Sequence, residues 1–526
     1  MCLKLNSLSK VVGHNDHLRG NRDNHYDWRM KRVASGFTPI IALDRRAVKP
    51  LHRQIYDAYR GTIAGRNLRP GQKVPSTREL AVQLGISRVP VLSAYSQLLA
   101  EGYLESRSGS GTFVSSSMVD QVGSSEYDRQ PPRVRSGPRP VSQRSGLIPP
   151  FNLAPWLSGW GAFTVGQPAF EHFPFQVWAR LIARHSRNIR VSALTFSDPM
   201  GSPDFREAIA AYLRTARAVN CEAKQIMVVS GSQQAVEIAA RVLLDPGNAV
   251  WIEEPGYRLA RHVLLVAGAR LVPVPVDHEG LNVAAGMEHC CSARAAYVTP
   301  SHQFPLGVTM SASRRLQLLE WAQRYGGWII EDDYDSEYRY QDLPISSLQG
   351  LDKNSRVIYI GTFSKTLFPS LRLGYMVIPP DLIGRFLAIR HAMDVYPPHL
   401  YQAVLTDFIN EGHLSRHIRR TRMVYGQRRN ALVEAIKDNF GDQMEMEGAE
   451  AGMHLVVTAG NRLRDREISE RAARENLWLW PLSPCYVDRN RKQGFILGFG
   501  STDAREIPKR VSQLRRVMAS AWISAR

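Results

Sequence analysis

The chain is poor in three things. It has five cysteines in 526 residues, Cys2, Cys221, Cys290, Cys291 and Cys485, and their spacing matches neither a metal ligand set nor an even pairing. A disulfide-stapled secreted fold is excluded on that ground, and a reduced, cytoplasmic setting is expected. The vicinal pair Cys290–Cys291 reads as buried packing rather than redox chemistry. No apolar run approaches the roughly 18 residues a membrane span needs, so no membrane partner is expected. The opening, MCLKLNSLSK, lacks the apolar block of a secretory signal. Acidic residues are also scarce at one end. Residues 1–115 hold eighteen lysines and arginines against eight acids, an excess of ten within a total of +19. Clustered positive charge suits a polyanionic partner.

What is present divides the chain. Residues 1–35 are polar and patternless and are expected to be a disordered extension, with Met30 an alternative start. Residues 40–116 carry short helical periodicity. Residues 117–150 are rich in Ser, Pro, Gly and Arg and read as a flexible linker. From 151 to 526, the strand-like runs IMVVS, AVWIE, AAYVT, GWIIED and VIYIG alternate with helical segments, which predicts an α/β domain on a mainly parallel sheet. A smaller C-terminal subdomain is expected from about 400, with AGMHLVV and GFILGFG as strands.

In residues 50–114, Ser76 and Glu79 form a capping box before a helix bearing Leu80, Ala81 and Leu84. Gly85 ends that helix and Ser87 caps the next, whose buried face is expected to be Val91, Ala94, Tyr95, Leu98 and Leu99. Gly102 stops it. Tyr103–Arg107 and Thr112–Val114, joined by a turn containing Gly109 and Gly111, then make a hairpin. Helix, tight turn, helix and hairpin in that order predict a winged helix-turn-helix on double-stranded DNA. Ser87, Arg88 and Ser93 open the second helix, where base or phosphate contacts fall. Arg78 is placed for a phosphate, and the Gly109–Gly111 wing for the backbone.

The stretch VIYIGTFSKTLFPSLRLGY, residues 357–375, puts one lysine, Lys365, just beyond an apolar strand. It is not a phosphate-binding loop of the GxxxxGK[ST] kind, because no glycine directly precedes the lysine. A surface lysine fits poorly at the end of such a strand. A lysine that condenses with an aldehyde fits, and pyridoxal 5′-phosphate is the aldehyde that uses one. That cofactor needs other parts. Its phosphate needs a helix N-terminus, hydroxyls and an arginine, which Ser232, Gln233, Thr362, Ser364 and Arg372 supply. Its ring nitrogen needs a carboxylate, assigned to Asp332. Its ring hydroxyl needs a donor, assigned to Tyr334, and its face an aromatic, assigned to Tyr257. The acid run Glu331-Asp332-Asp333 would alternatively suit a divalent metal.

PSTRELA, LGISR, YSQLLAEGYL and GSGTFV resemble the GntR family of bacterial winged-helix regulators, over most of residues 50–115. One departure is Ser93, where members often carry arginine. From about 160 to 520, the order of phosphate loop, aspartate and lysine resembles fold type I of the pyridoxal-phosphate enzymes, the aspartate-aminotransferase fold. FSDPMGSPDFREAIAAYL is similar to its early glycine motif and VTPSHQFPLG to its Asn-Pro-x-Gly loop. The combination resembles the MocR subfamily, which includes regulators of pyridoxine synthesis, γ-aminobutyrate use and taurine use. The resemblance implies a head-to-tail homodimer that binds an operator, with Lys365 as catalytic residue and a small amine or amino-acid effector, or the cofactor itself, as signal. Two departures weigh against an aminotransferase that also binds DNA, the alternative reading. Phe304 stands where the loop asparagine would be. Ile496 stands where an arginine would anchor a substrate carboxylate.

Overall fold

The computed structural model describes residues 39–116, 140–149, 153–189, 191–340, 345–459, 463–488 and 492–523. The expected disordered extension over 1–35 lies outside these, as does most of the expected linker. Contacts divide the chain into two units, Met1–Pro138 and Arg139–Arg526.

The first unit packs three helices, α1 (Leu51–Ala64), α2 (Thr77–Gln83) and α3 (Arg88–Ala100), against a hairpin of β1 (Leu104–Arg107) and β2 (Gly111–Val114). The capping box forms as expected: Ser76 Oγ accepts from Glu79 N, and Glu79 reaches back to Ser76 N. Ser87 holds the N-cap position of α3, but its side chain makes no capping bond. Val91, Ala94, Tyr95 and Leu98 are buried with Leu80, Ile55 and Tyr59. Leu99 is not, at 36% exposure. It follows Leu98 by 100°, which carries it past the edge of the apolar stripe. The turn between the strands uses glycine where φ is positive, +73° at Gly109 and +113° at Gly111.

The second unit is built on an eight-stranded sheet of order β3-β10-β9-β8-β7-β4-β5-β6. Its strands are β3 (Ile226–Val229), β4 (Ala249–Glu254), β5 (Arg270–Asp277), β6 (Gly280–Leu281), β7 (Ala295–Val298), β8 (Trp328–Asp333), β9 (Val357–Thr362) and β10 (Gly374–Val377). β4, β5, β7, β8 and β9 run parallel; β10 lies antiparallel between β3 and β9. Both faces are covered, so the strands read as continuous apolar runs. The period-2 alternation sorts them. Met227, Val229, Val250, Ile252, Ile358 and Ile360 pack toward the helices Ser232–Leu243 and Arg258–Ala267. Ile226, Val228 and Tyr359 face the helices Phe175–Arg187, Pro203–Arg217 and His399–Asn410.

A second sheet, of order β11-β12-β14-β13, is antiparallel: β11 (Glu445–Glu447), β12 (His454–Thr458), β14 (Gly494–Gly498) and β13 (Trp480–Pro481). It does not begin at about 400 as expected. The helix His399–Asn410 belongs to the core of the large sheet. The boundary falls inside the 28-residue helix His413–Phe440. Leu414 and Ile418 at its start join the large core, while Tyr425, Leu432 and Ile436 join the small one. Ala162 and Phe163, far away in sequence, also pack in the small core. Gln143–Leu147, inside the expected linker, is a 3-10 turn against the helix Arg258–Ala267, so the linker ends earlier than 150. The Cys290–Cys291 pair is likewise not buried: Cys290 is half-buried, Cys291 is exposed, and both are free.

Candidate functional site: a cavity at the strand ends

The C-terminal ends of β4, β7, β8 and β9 converge, which is where an open α/β sheet offers a crevice. A cavity of about 240 Å³ opens there. Every residue assigned to a cofactor from sequence lines it: Ser232, Gln233, Tyr257, Asp332, Tyr334, Thr362, Ser364, Lys365 and Arg372.

The acid run at the end of β8 is separated by the pleat. Glu331 and Asp333 point to one side, and Asp332 to the other. Glu331 accepts from the N–H groups of Leu348 and Gln349, each at 2.8 Å. Asp333 takes Arg217 at 2.8 Å and Tyr359 Oη at 2.6 Å. Asp332 alone faces the cavity. Its Oδ2 accepts from Tyr297 Oη at 2.7 Å, and its buried Oδ1 has no hydrogen-bond partner. Three acids on two sides of the sheet, each with its own partners, do not make the metal site that the run suggested. Burial pushes the Asp332 carboxyl up to about 6, against the Tyr297 hydrogen bond that holds it down.

Lys365 lies three residues past β9, on the strand next to Asp332. Its Nζ donates to Gly166 O at 3.2 Å. A Cβ on Gly166 would sit 2.2 Å from that nitrogen, so the glycine leaves the space the amine occupies. Desolvation lowers the Lys365 ammonium from its ordinary value, opposed by Asp335 and Asp332. An amine held this way is closer to its nucleophilic form.

At the other end of the cavity, Gly231 (φ +108°) precedes the helix Ser232–Leu243. The first-turn N–H groups of Ser232 and Gln233 have no intrahelical acceptor. A Cβ on Gly231 would lie 3.3 Å from both terminal nitrogens of Arg372, so that guanidinium stands over the helix start. Thr362 Oγ1 and Ser364 Oγ are 3.0 Å apart beside it. Helix N-terminus, two hydroxyls and an arginine form an anion cup. With the unsatisfied Asp332 oxygen and the Lys365 amine, the donor set fits pyridoxal phosphate: a dianion at one end, a protonated ring nitrogen between, an aldehyde at the other.

Several residues here escaped sequence reasoning. Tyr297 reads as an ordinary strand tyrosine in AAYVT. Gly166, Met453, His454 and Trp480 come from distant segments with no local signal, and Asp335, three residues past Asp332, was passed over. Tyr334 Oη lies 3.0 Å from His302 Nδ1, which in turn is 3.1 Å from Asp335 Oδ1. His454 Nε2 donates to Pro305 O at 3.0 Å, and burial holds its imidazole well below the ordinary value, hence neutral. Phe304 packs edge-on to Tyr257, with ring centroids 5.3 Å apart. Behind it lie Ile496, Val456 and Leu482, so the position expected to lack an anchoring arginine is an apolar wall.

In the first unit, Arg78, Ser87, Arg88 and Ser93 are all exposed, as are Gly109 and Gly111. Arg88 Nε donates to Thr77 Oγ1 at 3.0 Å, bracing α3 against the start of α2. Val89, 68% exposed on α3, is an apolar candidate for contact with a base. The wing gains cations that sequence reasoning passed over. Lys73 runs beside Gly111, and Arg107 stacks 4.6 Å over Phe113.

Comparison with known proteins agrees with both units. Residues 51–114 match the bacterial regulatory proteins of the gntR family, and residues 160–496 match aminotransferase class I and II. The chain is 40% identical to the probable rhizopine catabolism regulatory protein MocR of Rhizobium meliloti, over 90% of this chain and 95% of that one. It is 32% identical to the HTH-type transcriptional regulator TauR of Rhodobacter capsulatus, over 89% and 96%. Among solved structures, the α-aminoadipate aminotransferase LysN of Thermus thermophilus, complexed with N-(5′-phosphopyridoxyl)-L-leucine, superposes with a TM-score of 0.67 at 26% identity. It covers 72% of this chain and 97% of that one.

Proposed function

The chain belongs to the MocR-like branch of the GntR regulators, which join a winged helix-turn-helix to an aminotransferase class I and II domain, and we propose that pyridoxal phosphate on Lys365 governs its grip on DNA. It is a DNA-binding transcriptional regulator of aminotransferase fold. The rest is the reading we favour. Lys365 carries the cofactor, and Asp332 holds its ring nitrogen. Ser232, Gln233, Thr362, Ser364 and Arg372 take the phosphate, Tyr334 the ring hydroxyl and Tyr257 the ring face. The cofactor supplies an aldehyde that captures amines and a ring that draws electrons from them. The protein works in the cytoplasm as a head-to-tail homodimer on a paired operator. A small amine competing for the position of Lys365 shifts its affinity for DNA.

One observation carries this reading: Asp332 Oδ1, buried and unpartnered, faces the same cavity as the Lys365 amine. A buried acid without a partner is costly to a fold unless something completes it. The aminotransferase reading is weaker, because Phe304 and Ile496 remove two groups that turnover uses. The test is a titration of purified protein with pyridoxal phosphate, followed by its visible absorption. We expect a bound band that is lost in Lys365→Ala and weakened in Asp332→Asn. An unchanged band in Lys365→Ala would sink the assignment. Sustained release of keto acid from an amino acid would favour the enzyme instead.

A further inference from the structure

The charges around the cavity are unevenly placed. Among the described lining residues, the cations are Lys365 and Arg372, and the anions are Asp332 and Asp335. Arg372 stands over Gly231 at the anion cup. Lys365 is the group that an incoming amine displaces. The two carboxylates both act on the Lys365 end, where each favours its ammonium form. His454, also lining the cavity there, is neutral at pH 7. Besides the hydroxyls of Tyr257, Tyr297, Thr299 and Tyr334, the wall is apolar at Val165, Phe304 and Trp480, backed by the fully buried Ile496, Val456 and Leu482.

We propose that the effector is a small primary amine without a carboxylate, its body uncharged. This rests on the reading of Lys365 as the cofactor lysine. With Asp332 committed to the ring nitrogen, a carboxylate brought in with the amine would still meet Asp335 and an apolar wall. Among the described lining residues, Arg372 is committed to the anion cup, and a displaced Lys365 amine stays beside Asp335 and Asp332. An unpaired anion in such a place is strongly disfavoured. An ammonium is drawn by Asp335, and an uncharged body rests on the same wall without desolvation cost. The site thus selects by repulsion as much as by fit.

The experiment uses the full chain loaded with pyridoxal phosphate and two matched pairs of probes. One pair is 2-aminopropan-1-ol and L-alanine; the other is 2-phenylethylamine and L-phenylalanine. The change in visible absorption is titrated with each, and each value is normalised to the same probe reacting with free cofactor in solution. We expect the half-saturating concentration to be at least ten-fold lower for the amine in one pair or both. Equal or tighter response to the amino acids in both pairs overturns the proposal while leaving the lysine assignment intact. A protein with no Lys365-dependent band overturns both.

Discussion

At the residue scale, three adjacent acids have three different fates, and each fate is set by its neighbour. Asp333 is neutralised by Arg217, which is buried with it. Removing one partner of such a pair leaves a buried charge, so Arg217→Ala should cost about 3–5 kcal/mol in chemical denaturation. Asp332 is the opposite case. Its carboxyl is raised to about 6 from 3.8, so in the cofactor-free protein it opposes folding when ionised. The isosteric Asp332→Asn should therefore stabilise the cofactor-free protein by roughly 2 kcal/mol at pH 8. The gain should shrink as pH falls through 6 and vanish below about pH 3, where the acid is protonated in both states. The same variant should bind cofactor more weakly, which separates a functional acid from a structural one. Gly166→Ala should reduce cofactor loading at least ten-fold by absorbance titration, since its Cβ would occupy the space of the Lys365 amine. Asp332 was assigned in the sequence because it sits in an acid run that ends an apolar strand; that this strand lies beside the one leading to the lysine is seen only in the fold. Tyr297 and Gly166 were invisible, because nothing local marks a residue whose role is to face another segment.

At the scale of elements, legibility followed burial. The five runs read as strands all form strands, because a strand covered on both faces is apolar throughout. β5 was missed. Its sequence, RLVPVPVD, is broken by Pro273 and Pro275, which lack the N–H a ladder uses. They are tolerated because the outer neighbour, β6, pairs only with Val276 and Asp277. β10 was absorbed into the lysine loop that precedes it. In the first unit the capping box was readable because its signal is confined to four residues. Ser76→Ala should lower the local stability of α2 by about 1 kcal/mol, measured as faster amide exchange in that helix.

At the scale of the whole molecule, the aminotransferase-like unit holds Glu253 and Glu331 buried and Glu337 half-buried, each with its carboxyl raised to about 7, chiefly by desolvation. A folded value above the unfolded one means that stability falls as pH rises through 7. His417 and His454, lowered by burial, act the other way, but only below about 6.5. The melting temperature of the cofactor-free chain should therefore be higher at pH 6.5 than at pH 8. Binding to DNA is governed by the basic unit. Lys73→Ala and Arg78→Ala should each flatten the dependence of log affinity on log salt by about one phosphate contact per subunit. The two-unit division was legible from composition. The subdomain boundary was not, because the helix His413–Phe440 is continuous across it and only three-dimensional packing marks the change.

The carbonyl of Gly166 has one further meaning. Its segment is tied a few residues upstream to the small sheet's subdomain, Ala162 bridging to Leu477 and Phe163 to Gly498. An amine committed to a covalent bond elsewhere no longer donates in the same way to that oxygen. A change of state at one nitrogen would thereby be felt, within a few residues, at the seam between the large sheet and the small one.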